Sequence, residues 1–268
     1  MKRRTFLSAS AALGMTPVMG MTGLAENFEQ SAAQGGQQYF EWIRYHLPLG
    51  SRQRVVSNYY RDVAIPALNK AGIKNVGVFN VKHGINDPTL HVIIQHPTLE
   101  SVVTLNDRLL DDAAFVQAGE SVLKPPMNEM AFVSMDKVIM KAFTHLPEIQ
   151  VPTQKQANKS RIFQVRTYEA PSLTAAKRKI HMFNEGGEIA IFKKTGLQPI
   201  LFGEVIAGDR MPSLVYILAF DDLDHMTKQW SVFVSDPDWK TLSANTYYNE
   251  TVSRINDWIW TPAQFSQI

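Results

Sequence analysis

Apolar positions between residues 38 and 264 fall into blocks whose period switches between two and about 3.6, and the blocks follow one order twice over. Tyr39–Tyr45 is rich in aromatic and β-branched residues and reads as a strand. Val55, Val56, Tyr59, Tyr60, Val63, Ala67, Leu68 and Ala71 then recur at helical spacing, with Gly72 as the stop. Pro66 inside that run predicts a kink or break near Ala64. The pattern predicts strands over residues 76–81 and 90–95, a helix over 98–110 and a further helical turn near Asp112. A closing strand is predicted over 130–135. The second set begins with a strand over 162–168. One helix follows, marked by Leu173, Ala176, Ile180, Phe183 and Ile191 and ending at Gly196. Strands are predicted over 200–206 and 214–220, Asp236-Pro237 serves as N-cap and first position of a helix, and a last strand covers 255–260.

The two sets align at an offset near 124, which pairs Gly72 with Gly196 and Asp112 with Asp236. At the first strand the offset becomes 122, pairing Ile43-Arg44 with Val165-Arg166. Repeats of this length are two copies of one domain rather than solenoid units. We therefore expect domains over 38–145 and 161–264, joined by a polar linker over 146–160 that contains two prolines. Strand, helix, strand, strand, helix, strand is the ferredoxin-like split βαβ plan, an α+β fold. Its sheet carries helices on one face only, so the other face needs a cover. Two such sheets can cover each other as a barrel within one chain or between two chains. Both arrangements, and a homo-oligomer, stay open at this level.

Composition removes several classes of chemistry. The chain has 268 residues, 45% of them apolar, and no cysteine. Thiolate metal sites, iron–sulfur clusters, disulfides and thiol nucleophiles are thereby excluded. The net charge of +2 is local. Lys2, Arg3 and Arg4 are the only charges in residues 1–25, and without them 24 basic residues face 25 acidic ones. Nucleic acid gains no support from that balance. Residues 1–33 read as an export leader: a twin arginine, an uncharged apolar stretch from Leu7 to Ala25, and small-residue exits after Ala25 or Ala33. We expect an exported, periplasmic or extracellular protein with no further membrane segment. No Gly-rich phosphate loop or nucleophile elbow stands in the required context, and no cofactor is expected.

Several of these residues resemble the NIPSNAP family. They are Gln164-Val165-Arg166-Thr167-Tyr168, the stretch Phe192-Lys193-Lys194-Thr195-Gly196-Leu197, Phe220-Asp221-Asp222-Leu223 and Asp236-Pro237-Asp238-Trp239. The first copy departs more, with His46 in place of Tyr168 and Phe115 in place of the tryptophan, although Ile65-Pro66-Ala67-Leu68 and Gly72-Ile73 resemble two-domain bacterial members. The resemblance implies the dimeric α/β barrel fold and no established reaction. It also implies kinship with haem-degrading and quinone-forming monooxygenases at the level of fold, which does not fix function.

Two constellations carry candidate chemistry. His181 and Glu185 stand one helical turn apart and Glu188 a further turn on, a set suited to acid–base work or a divalent metal. The alternative is a solvated helix face loosened by Gly186-Gly187. Arg166 and Tyr168 share a strand face, with Arg44 and His46 as their expected counterparts and Glu204 as a carboxylate for the guanidinium. These five are candidates for a ligand clamp in the barrel interior, or for an ion pair between strands. His91 and His96, five apart on one strand, fall on opposite faces and make no metal site. Trp230, Trp239 and Phe115 read as core fillers. The expected function is binding of a small, partly apolar ligand in the barrel; the alternatives are a barrel-class monooxygenase or isomerase, or a scaffold whose barrel is packed solid.

Overall fold

The structure, a computed structural model, describes residues 36–48, 53–84 and 89–268. The leader expected over residues 1–33 lies outside the described residues. Within Gln37–Ile268 the strands are β1 (Tyr39–His46), β2 (Gly77–His83), β3 (Thr89–His96), β4 (Ser134–Ala142), β5 (Ile162–Glu169), β6 (Gln198–Ala207), β7 (Ser213–Phe220) and β8 (Arg254–Pro262). They close into a barrel in the order β1-β3-β2-β8-β5-β7-β6-β4, and every pairing is antiparallel. Each half of the chain supplies four neighbouring strands, and the seams β2–β8 and β4–β6 join the halves. The barrel is therefore intrachain, and closure leaves no sheet edge open.

Helices cover the outside. The first half carries α1 (Gln53–Tyr59), α2 (Ile65–Lys70), α3 (Leu99–Leu110), α4 (Ala113–Ala118) and α5 (Glu120–Leu123). The connection holds α6 (Thr153–Gln156). The second half carries α7 (Leu173–Phe183), α8 (Glu188–Lys194), α9 (Leu223–Ser235) and α10 (Pro237–Ser243). Side-chain caps set several starts: Thr98 Oγ1 accepts from Ser101 N–H, and Asp112 and Asp236 each accept from two backbone N–H groups of the turn that follows. No helix among the described residues is long and apolar enough to cross a membrane.

Strand alternation splits the buried residues into three cores. Phe40, Trp42, Ile93, Phe163, Ile217 and Trp260 belong to the set that fills the barrel. The outward faces of the two sheets pack separately under their own helices. Each large side chain removed from water in this way contributes roughly 1.5–3 kcal/mol. The connection between the halves takes part: Ile149 lies in the barrel core, and its N–H donates to Gln95 Oε1 at 2.9 Å.

Four details differ from the sequence pattern. First, β4 begins at Ser134, where a strand over 130–135 was expected. The more continuous apolar run was misleading, because Ala131 and Phe132 pack under the first-half helices. Val138, Met140 and Ala142 provide the true inward alternation. Second, the expected helix from Leu173 to Gly196 is broken between α7 and α8. At Gly186 an added Cβ would lie 2.6 Å from the Met182 carbonyl oxygen, and Gly187 adopts φ 87°. Third, the break expected near Ala64 takes the form of a π-helical turn, Tyr60–Ala64, between α1 and α2. Its Ile65 N–H reaches back five residues to Tyr60 O. Pro66 brings no N–H of its own, and the wider turn accommodates its ring.

Fourth, the first strands align one residue away from the expected pairing. Tyr45 lies opposite Leu90, and Tyr168 lies opposite Leu214. Tyr45 is thus the counterpart of Tyr168, Ile43 of Arg166 and Glu41 of Gln164. A shift of one residue exchanges the two faces of a strand. Arg44 and His46 therefore sit on the barrel-facing side of β1, while Arg166 and Tyr168 face the helices.

Candidate functional site

Among the described residues large apolar side chains fill the barrel, and the cavity beside Arg44, Trp42 and Trp258 measures about 40 Å³. A larger cavity, about 240 Å³, lies between the outward face of the first-half sheet and its helices. Glu41 and Tyr45 come from β1, Met135 and Lys137 from β4. Tyr59, Tyr60 and Ala64 come from the helix around the π turn, Asn106 from α3 and Phe115 from α4. The walls are largely aromatic and aliphatic, and the exposed side chains of Asn106, Leu110 and Met135 mark its open side.

Glu41 is the buried charge of this wall. Lys137 Nζ stands 2.6 Å from Glu41 Oε1. With its proton on Nε2, His96 donates to Glu41 Oε2 at 3.2 Å, while its Nδ1 lies 3.0 Å from Ser101 Oγ. Burial pushes the Glu41 carboxyl up, but the His96 hydrogen bond and the Lys137 ammonium outweigh it and hold the group below its ordinary value of 4.5. Glu41 is therefore ionised at neutral pH. Beside it the hydroxyls of Tyr45 and Tyr60 meet at 2.9 Å. Burial pushes Tyr45 up to about 12 and Tyr60 and Tyr59 well up, so all three stay protonated as donors.

In the second half the matching space is filled. Asn106 stands eight residues after the cap Thr98, as Trp230 does after the cap Asp222. The Trp230 indole crosses the space and donates to Gln164 Oε1 at 2.6 Å. Gln164 Nε2 donates to Asp257 Oδ2 at 2.7 Å, and Asp257 also takes Arg166 Nε at 3.1 Å. The Arg166 guanidinium lies 4.5 Å from the Trp230 ring centroid, and the Tyr168 and Tyr216 hydroxyls meet at 2.9 Å. Burial opposes the Arg166 charge, but Tyr216, Tyr168 and Asp257 hold its proton more firmly than usual.

The expected site residues are dispersed. Arg166 pairs with Asp257 and not with Glu204, which lies opposite Lys141 and Leu214 on β6. Arg44 bridges Asp209 at 3.1 Å and Asp136 at 3.6 Å, with His46 Nε2 2.7 Å from the same Asp136. His181 is exposed, with Nδ1 2.9 Å from the Tyr248 hydroxyl, and Glu185 is exposed in the turn after α7. Glu188 points into the core, where it takes Lys179 Nζ at 2.8 Å. Burial raises the Glu188 carboxyl despite the opposing Lys179 charge. The helix break thus separates the three. Among the described residues no group of three or more His, Asp or Glu could hold a metal ion. Sequence reasoning missed Glu41, Tyr59, Asn106 and Lys137; the available signal was a carboxylate inside the aromatic strand Tyr39–Tyr45.

Comparison with known proteins follows the fold. A "putative monooxygenase" of Lactobacillus acidophilus NCFM matches with a TM-score of 0.53 at 10% identity, over 85% of this chain and 93% of that one. A "putative monooxygenase" of Fusobacterium nucleatum subsp. nucleatum matches with a TM-score of 0.53 at 8% identity, over 84% and 92%. At such identities the likeness is one of fold, the α+β barrel of the dimeric α/β barrel class. A NIPSNAP family protein with unknown function from Agrobacterium tumefaciens str. C58 covers 40% of this chain at 22% identity, with 91% of its own length and a TM-score of 0.34. No curated protein matches the chain. Residues 163–267, from β5 through β8 and the segment after it, match the NIPSNAP family.

Proposed function

We propose that the chain binds a small, partly apolar ligand in the cavity between sheet and helices of the first half. The observation that carries this reading is the 240 Å³ space with an ionised carboxylate in its wall, set against a second half whose matching space is closed by Trp230. An apolar pocket with few, well-placed polar groups is the usual form of a small-molecule site. On this proposal the two halves are copies of one unit, of which one is open and the other serves as support. Ligand screening by calorimetry and native mass spectrometry, on wild type and on Asn106→Trp, tests it. Binding that Asn106→Trp abolishes supports the reading, and binding that survives the substitution overturns it.

A monooxygenase reaction on that ligand is a second reading, favoured by the likeness to barrel proteins bearing that name. Oxygen uptake with a bound ligand, lost in Asn106→Trp, is the corresponding measurement. The filled barrel is what a scaffold would also have, and failure of every ligand screen would favour that role. Export rests on the twin arginine of residues 1–33, and relocation of an Arg3→Lys/Arg4→Lys variant in the native host is its test.

A further inference from the structure

The polar wall of the first-half cavity is a matched pair of opposite charges. Lys137 Nζ, 2.6 Å from Glu41 Oε1, cancels most of the carboxylate field that would attract a cation. Glu41 in turn repels an anion approaching Lys137. A charged ligand therefore meets one repulsive partner whichever sign it carries. A neutral hydroxyl meets none, since its hydrogen can be donated to the carboxylate while its oxygen accepts from the ammonium. The remaining polar residues suit the same ligand: Tyr59 lines the cavity and brings a phenolic hydroxyl, and Asn106 at the open side offers both a donor and an acceptor.

The walls specify the body that carries the hydroxyl. Tyr59 stands edge-to-face with Tyr60 (5.5 Å between centroids) and with Phe115 (6.2 Å), and Tyr45 edge-to-face with Phe132 (5.2 Å). Such a lining extends naturally to one more ring. An apolar cavity of about 150 Å³ takes a benzene, so 240 Å³ holds one or two rings. A phenolic hydroxyl is also a stronger donor to a carboxylate than an aliphatic one.

We infer that the ligand class of this site is a neutral hydroxyarene of one or two rings, its hydroxyl set against the Glu41–Lys137 pair. The inference rests on the binding reading above and adds the chemistry of the ligand to it.

Titration calorimetry with four probes of one size tests it: 2-naphthol, 2-fluoronaphthalene, 2-naphthylmethylammonium and 2-naphthoate. With wild-type protein, 2-naphthol should bind about tenfold more tightly than each of the others, the value of one charge-assisted hydrogen bond. In Glu41→Gln, which places in β1 the residue that β5 carries at Gln164, the ratio of 2-naphthol to 2-fluoronaphthalene should fall to about threefold or less. Lys137→Gln, at the half-exposed partner, provides a variant independent of the buried carboxylate. It should shift preference from 2-naphthol towards 2-naphthylmethylammonium. If 2-fluoronaphthalene or either ion binds wild type as well as 2-naphthol does, the hydroxyarene inference falls and the cavity reading stands. If Lys137→Gln leaves the order of probes unchanged, the inference falls as well. If no probe binds wild type, both fall together.

Discussion

Asn106 and Trp230 hold the same place on matching helices, and the difference between them is the cavity. Trp230 spans from helix to sheet and bonds Gln164 at 2.6 Å, whereas Asn106 ends at the open side of a 240 Å³ space. Asn106→Trp should fold normally and lose ligand binding, because the new ring enters a void rather than a packed core. Trp230→Ala should lower stability by about 3–5 kcal/mol through the cavity it leaves. Thermal unfolding of both variants beside binding titrations checks the pair of outcomes.

Glu41 predicts an acid-sensitive contribution to stability. Its carboxyl is held below 4.5 in the folded protein, so the unfolded chain binds its proton first. The stabilisation is present above the unfolded value and is lost as pH falls through the folded one. Melting temperature against pH should show a gap between wild type and Glu41→Gln that is full near neutrality. The gap should narrow below about pH 4.5.

His91 predicts a second loss that begins at higher pH. It lies inside the barrel, stacked on Trp260 at 4.2 Å, and its Nδ1 accepts from Trp42 Nε1 at 3.1 Å. Burial, with Arg44 and His46 nearby, lowers it from 6.5 to about 3. Between those values the unfolded chain carries a proton that the folded one refuses. Stability should therefore decline on acidification at about 1.4 kcal/mol per pH unit and stay flat above pH 7. Denaturant titrations of His91→Phe should lose that slope. The same variant should cost about 1–3 kcal/mol at neutral pH for the unpaired indole N–H.

Lys179 and Glu188 form a buried ion pair 2.8 Å apart, with Lys179 Nζ also 4.5 Å from the Phe183 ring centroid. Either single change, Lys179→Met or Glu188→Gln, leaves a charge without its partner and should cost about 3–5 kcal/mol. The double variant Lys179→Met/Glu188→Leu should recover most of that loss. A double-mutant cycle by chemical denaturation reads the coupling. No effect on ligand binding is expected, since the pair lies in the second half.

The barrel was legible because its causes are local. Alternation marked the strands, Gly72 and Gly196 marked helix stops, and Asp112 and Asp236 marked helix starts. The register of β1 was not, because Arg44 and Arg166 look like counterparts by letter while pairing with Leu90 and Leu214 makes Tyr45 and Tyr168 the equivalents. That single step moved the expected clamp to opposite sides of the sheet. His181, Glu185 and Glu188 do not share one helix face for a related reason, since helical spacing holds only where the helix continues. The cavity itself was invisible to residue patterns. It arises from a missing volume at Asn106, and an absence of bulk leaves no motif.

The π turn at Tyr60–Ala64 has a consequence for how this site tolerates insertions and deletions. A wide turn holds one residue more than an α-helix over the same rise. Deleting a single residue there would let the turn tighten to α geometry over the same rise, whereas the same deletion elsewhere in the helix would rotate everything before it by about 100°. Tyr59 would keep its place at the cavity in the first case and swing off it in the second. The second half interrupts its helix at the corresponding point with Gly186-Gly187 instead, so the half with the chamber carries a helix that widens where its counterpart breaks.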